Sequence, residues 1–138
     1  MKSRGELNTE QQNPKAVQID SMSTANILSI INREDHSITK AVEAAIPDIE
    51  KTVEFAVNSI QKSGRVFYVG AGTSGRLGVL DASEIPPTYS APKGLFIGVI
   101  AGGNEALRNS IEGAEDKPNN AKIDLDKYGL NDNDTLIG

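Results

Sequence analysis

A short apolar run that breaks into glycines constrains this chain more than any other feature. Arg65-Val66-Phe67-Tyr68-Val69 is β-branched and aromatic, so it reads as a strand. Gly70-Ala71-Gly72-Thr73-Ser74-Gly75 follows at once, and Arg76 to about Ser83 has the pattern of a short helix. Pro86-Pro87 should close that helix off. A strand delivering a glycine turn into a helix is the opening half of a β-α-β unit, and such units build parallel sheets.

The rest of the chain repeats the scheme. Leu95-Phe96-Ile97-Gly98-Val99-Ile100 is almost continuously apolar, as expected of a strand covered on both faces. A second glycine turn, Ala101-Gly102-Gly103, leads into a helical pattern over Asn104 to Ile111. An acidic break, Glu112-Gly113-Ala114-Glu115-Asp116, precedes another helical stretch around Asn120 to Tyr128. A third strand opens at Asp134. Chains rarely stop two or three residues into a buried strand, so the sequence reads as part of a longer polypeptide, with the sheet cut partway.

Upstream, Ser21 to Thr24 offers N-caps for a helix carrying Ile27, Ile30 and Ile31, expected to end near residues 32–35. Ser37 would cap a second helix. Its stripe is Ile38, Val42, Ala45, Ile46, Ile49, Val53, Ala56, Val57 and Ile60, with a kink or break at Pro47 and a stop at Ser63-Gly64. The fold class is thus α/β: residues 1–62 form an N-terminal segment with helices, and residues 63–138 form the first half of a parallel-sheet domain with helices on both faces.

Composition bounds the chemistry. The net charge of −5 disfavours nucleic acid or an anionic membrane as main partner, so an anionic ligand must be held by local geometry. With no cysteine there is no disulfide, thiolate zinc site or thiol nucleophile, and a single histidine cannot build a His-rich metal site. The polar start Met1–Glu10 carries no secretion-signal pattern, and no apolar run is long enough to span a bilayer. A cytoplasmic enzyme or binding domain is the expectation.

Gly70 to Gly75 spells G-x-G-x-x-G, the dinucleotide-binding pattern in its proper strand-to-helix setting. Two features argue for a terminal phosphate instead. The second strand ends Val99-Ile100-Ala101, with no carboxylate at its tip to hold ribose hydroxyls. Thr73 and Ser74 also add hydroxyl donors to the backbone N–H groups at a helix start. A tight turn that binds nothing stays open on the residues alone. So does a merely solvated surface for the carboxylates Asp81, Glu84, Glu112, Glu115 and Asp116, and spacing does not single out Glu84 and Glu115 among them.

Taken together, Gly70 to Gly78 running into Asp81-Ala82-Ser83-Glu84 and Pro86-Pro87-Thr88-Tyr89 resembles the N-acetylmuramic acid 6-phosphate etherase signature. So do Ile100 to Gly103, Glu112 to Asp116, and the upstream Leu7 to Gln11, Asn13-Pro14, Ile19-Asp20, Met22 to Thr24 and Ile30 to Asn32. The resemblance implies the N-terminal half of a sugar isomerase (SIS) fold, a three-layer αβα sandwich, in a cytoplasmic homodimeric lyase that needs no cofactor and no metal. It implies cleavage of the lactyl ether of a phosphorylated amino sugar, N-acetylmuramic acid 6-phosphate, giving D-lactate and N-acetylglucosamine 6-phosphate. Phosphate binding falls to Gly72, Thr73, Ser74, Gly75 and Arg76. Glu84 matches the proton donor to the departing lactate oxygen, and Glu115 the base at sugar C2. A catalytically silent SIS domain that senses a sugar phosphate is the alternative. Ile85 stands where many relatives have Cys, with no chemical effect expected, and His36, between the two helices where relatives often have Lys, reads as surface.

One geometric difficulty accompanies this reading. Along a straight helix Glu84 would lie about 13 Å beyond Gly75, too far for one small sugar to bridge. Either the helix ends early and the chain folds back at Asp81–Pro87, or Glu84 reaches into a partner subunit's site.

Overall fold

The computed structural model describes residues 11–114 and 118–138. By internal contacts the chain forms two compact units, one ending at Ile49 and the other running from Glu50 to Gly138.

In the first unit, short 3-10 turns at Pro14–Ala16 and Ile19–Ser21 precede the start of helix α1, Thr24–Gln61. Ser23 caps it, accepting from the Asn26 N–H at 3.3 Å. Asn13 and Lys15 both donate to the Glu34 carboxylate, and these bonds, that of Lys15 above all, hold its pKa below the usual range. The two helices expected here are one. His36, Ser37 and Thr39 do not interrupt the spiral, because each bonds a carbonyl three or four residues back: Asn32, Glu34 and His36 respectively. Pro47 also lies inside α1 rather than ending it.

The second unit centres on a three-stranded parallel sheet of order β2-β1-β3, with β1 at Val66–Gly70, β2 at Phe96–Ile100 and β3 at Thr135–Ile137. Val66 pairs with both Phe96 and Thr135. All three strands stand where the apolar runs put them. Helix α2 spans Gly72–Tyr89 and α3 spans Pro118–Asp126. Successive residues of β1 face opposite ways. Tyr68 meets α2, where a Cβ on Gly78 would stand 2.7 Å from the Tyr68 Cβ, so glycine lets the helix approach the sheet. Phe67 meets Tyr128 from the other side, ring edge to ring face at 6.0 Å. Among the described residues, the buried apolar ones are Val66, Phe67, Val99, Ile100 and Ala106.

β3 is held at its start by polar contacts. The buried Asp134 carboxylate takes Arg65 Nη2 at 2.7 Å and the Arg65 N–H at 2.8 Å. The same guanidinium donates to the Tyr128 and Gly129 carbonyls and lies over the Phe67 ring. Thr135 Oγ1 donates to the Phe55 carbonyl and accepts from buried Ser59 at 2.6 Å.

Two further expectations change. α2 does not stop before Pro86-Pro87 but carries both in its last turns, ending at Tyr89 with Ser90 in the left-handed region at φ 54°. The prolines remove only the donors to the Ala82 and Ser83 carbonyls, close to a helix end where the ladder is already running out. After the second glycine turn, the expected helix is a 3-10 segment of Gly103–Leu107. No helix among the described residues is long and apolar enough to cross a membrane.

Candidate functional site

The two glycine turns leave adjacent parallel strands at their C-terminal ends, the edge where open α/β sheets take ligands. They are tied at the base: Gly70 pairs with Ile100, and the Ala101 N–H donates to the Gly70 carbonyl at 2.9 Å.

In the first turn the glycines serve packing and path. A Cβ on Gly75 would stand 2.6 Å from the Gly70 carbonyl oxygen and 2.7 Å from Ile100 Cγ1. A Cβ on Gly70 would stand 2.8 Å from the Gly75 nitrogen. Gly72 turns the chain at φ +52° with open space around it. α2 starts from Ala71 with no side-chain cap, so the N–H groups of its first turn lack intrahelical acceptors. Gly72, Thr73 and Ser74 are exposed and Gly75 is buried. Three of the five expected phosphate-binding residues therefore form one rim of exposed donors beside the fourth, the close-packed Gly75. The fifth, Arg76, is directed elsewhere. Its Nε and Nη2 donate to the carbonyls of Leu107 and Asn109 at 3.3 and 3.1 Å.

In the second turn, Gly102 and Gly103 both take positive φ, +89° and +67°. Ile111 folds back over Gly102, whose added Cβ would meet Ile111 Cδ1 at 3.0 Å and Ala106 Cβ at 3.1 Å. Asn109 also donates to the Glu105 carboxylate.

The carboxylates divide. Burial, and after it the neighbouring Asp81 carboxylate, pushes the Tyr68 phenol up to about 12, so Asp81 is engaged with the sheet. Glu84 is exposed one turn further on, and its carboxyl bonds no described residue. This separates two acids that sequence spacing could not. Because α2 is unbroken to Tyr89, the chain does not fold back at Asp81–Pro87, and Glu84 stands about 13 Å along the helix from Gly75. Glu112 is exposed, and Glu115 and Asp116 lie outside the described residues. No three His, Cys, Asp or Glu side chains gather as metal ligands among the described residues.

Comparison with known proteins agrees with this architecture. The chain is 48% identical over 138 residues to an N-acetylmuramic acid 6-phosphate etherase of Actinobacillus succinogenes, an alignment covering 100% of this chain and 45% of that protein. It is 48% identical over 134 residues to N-acetylmuramic acid 6-phosphate etherase 1 of Bacillus licheniformis, covering 97% of this chain and 44% of that one. It is 52% identical over 120 residues to the N-acetylmuramic acid 6-phosphate etherase of Christiangramia forsetii, covering 87% and 44%. The chain thus spans less than half the length of the curated relatives it matches. Residues 48–138, holding the whole sheet, both glycine turns and α2, match a family described as the glucokinase regulatory protein N-terminal SIS domain. The chain therefore belongs to that SIS-domain family.

Proposed function

We propose that the complete protein is a lyase that cleaves the D-lactyl ether of N-acetylmuramic acid 6-phosphate with water, giving N-acetylglucosamine 6-phosphate and D-lactate. The observation that carries this reading is the exposed Gly72-Thr73-Ser74 rim at an uncapped helix start, in a chain alike over its whole length to proteins named for that activity. The rim supplies backbone and hydroxyl donors to a compact phosphate. With the sugar ring open, the C1 aldehyde acidifies the C2 proton, and Glu115 removes it as base. Electrons moving from C2 expel the oxygen at C3, and Glu84 protonates that oxygen as lactate leaves. Water then adds back across the resulting double bond.

An alkoxide is a poor leaving group, so the acid must stay protonated until it is needed, and this calls for a site shielded from water. Exposed on α2 and far from its own turn, Glu84 has no such cover among the described residues. The same geometry supports the partner-subunit route: in a cytoplasmic homodimer, Glu84 of the partner subunit closes over the sugar that the first turn holds.

Incubating the complete protein with N-acetylmuramic acid 6-phosphate should release D-lactate in step with N-acetylglucosamine 6-phosphate. Binding of the substrate without lactate release would favour the second reading, a sugar-phosphate sensor. That reading draws on the regulatory-protein family matched over residues 48–138.

A further inference from the structure

Arg76 follows the phosphate turn directly in α2, where an arginine would be expected to face the ligand. Its guanidinium instead bridges to the second turn: Nε reaches the Leu107 carbonyl at 3.3 Å and Nη2 the Asn109 carbonyl at 3.1 Å. Leu107 is the last residue of the 3-10 segment, whose final carbonyls find no donor inside it, and a cation is well placed to satisfy them. The other end of the same segment is fixed by Ile111 lying over Gly102. Between these anchors Ala106 is buried and Asn109 bonds back to Glu105, but Gly103 has nothing within 4 Å of its Cβ position, and residues 108–112 carry no regular structure beyond turns. From Asn109 the chain continues six residues to Glu115.

We propose that Arg76 is a positioning residue: its guanidinium ties the Leu107 and Asn109 carbonyls to the first turn of α2, and so sets where the chain leading to Glu115 is delivered relative to the phosphate turn. This rests on the function proposed above for what Glu115 does, but the strut itself does not depend on that chemistry. A planar fork holds two carbonyls at once, which the single ammonium of lysine cannot do in the same geometry. A phosphate ligand would behave differently, because exchanging the bidentate fork for a point charge would weaken phosphate binding itself.

The test uses Arg76→Lys in the complete protein, with Ile111→Ala as a second variant that loosens the loop from its other anchor. Amide hydrogen exchange over residues 103–114 should speed up about tenfold or more in both. Inhibition by inorganic phosphate should change less than about threefold, while kcat falls roughly 10- to 100-fold as the carboxylate is misplaced. Should Arg76→Lys fail to fold, Ile111→Ala must show the same pattern. Unchanged exchange over 103–114 overturns the proposal, and so does a tenfold or greater loss of phosphate affinity in Arg76→Lys. If the wild-type protein releases no lactate, the proposed function fails, but the exchange and phosphate results still decide the strut.

Discussion

The two glycine turns sit side by side at one sheet edge, yet they are shaped by different means. The first is set by packing within a few residues: Gly70 and Gly75 approach so closely that neither has room for a Cβ, and the chain passes straight into an α-helix. The second relies on backbone freedom at Gly102 and Gly103 and gains only a five-residue 3-10 segment. It is also tied from outside, by Arg76 of α2, and by Ile111 folding back. A turn fixed by its own packing can present donors ready for a ligand. A turn held by a borrowed side chain can be tuned, which would suit the proposed role of the segment leading to Glu115.

The largest effect should come from the acid that neither turn places. Glu84→Gln in the complete protein should lower lactate release by about 10²- to 10⁴-fold, the usual worth of a positioned proton donor, with phosphate inhibition unchanged. Mixed dimers of Glu84→Gln and Ser74→Ala subunits should regain activity that neither parent dimer has; no recovery would rule out the shared site.

Next come the turns themselves. Gly75→Ala forces a methyl to 2.6 Å from backbone and should cost about 1–3 kcal/mol or more in chemical denaturation. Gly102→Ala meets mainly side-chain atoms and should cost about 1–2 kcal/mol, chiefly for its φ of +89°. A larger loss at Gly102 than at Gly75 would reverse the contrast between the turns.

The smallest effect concerns β3, which has neither kind of turn and is fixed by charge. Hydrogen bonding from Arg65 holds the Asp134 carboxyl below its ordinary value of 3.8. A carboxyl lowered on folding stabilises the fold above its unfolded pKa, and that stabilisation is lost as pH falls from there through the folded pKa. Amide exchange at Thr135–Ile137 should therefore rise below about pH 3.8 before exchange at Phe96–Ile100 does. Equal onset in both strands would remove Arg65–Asp134 as the anchor.

Much of this was legible in sequence because the signals are local. The β-branched runs at 66–69 and 95–100 mark strands, and glycines after each mark the turns. Ser23 announced the cap of α1. The failures have physical causes of their own. His36, Ser37 and Thr39 look like a helix boundary, but their side chains bond back into α1 and leave it whole. Pro86 and Pro87 look like a stop, but near a helix end they remove little that was still bonded. For Arg76, beside Thr73 and Ser74, nothing local could show that it bonds two backbone carbonyls more than 30 residues away. The stripe at Ile38, Val42, Ile46, Ile49 and Val53 was legible as apolar, yet its members are exposed in this chain. Sequence pattern tells that a face seeks cover and not what covers it.

The proposed chemistry requires that the first turn seat the phosphate. A crystal structure of the complete protein with the product N-acetylglucosamine 6-phosphate measures this directly. It should show phosphate oxygens about 3 Å from the Thr73 and Ser74 hydroxyls and the neighbouring N–H groups. A phosphate bound elsewhere, with these donors facing only water, would contradict it.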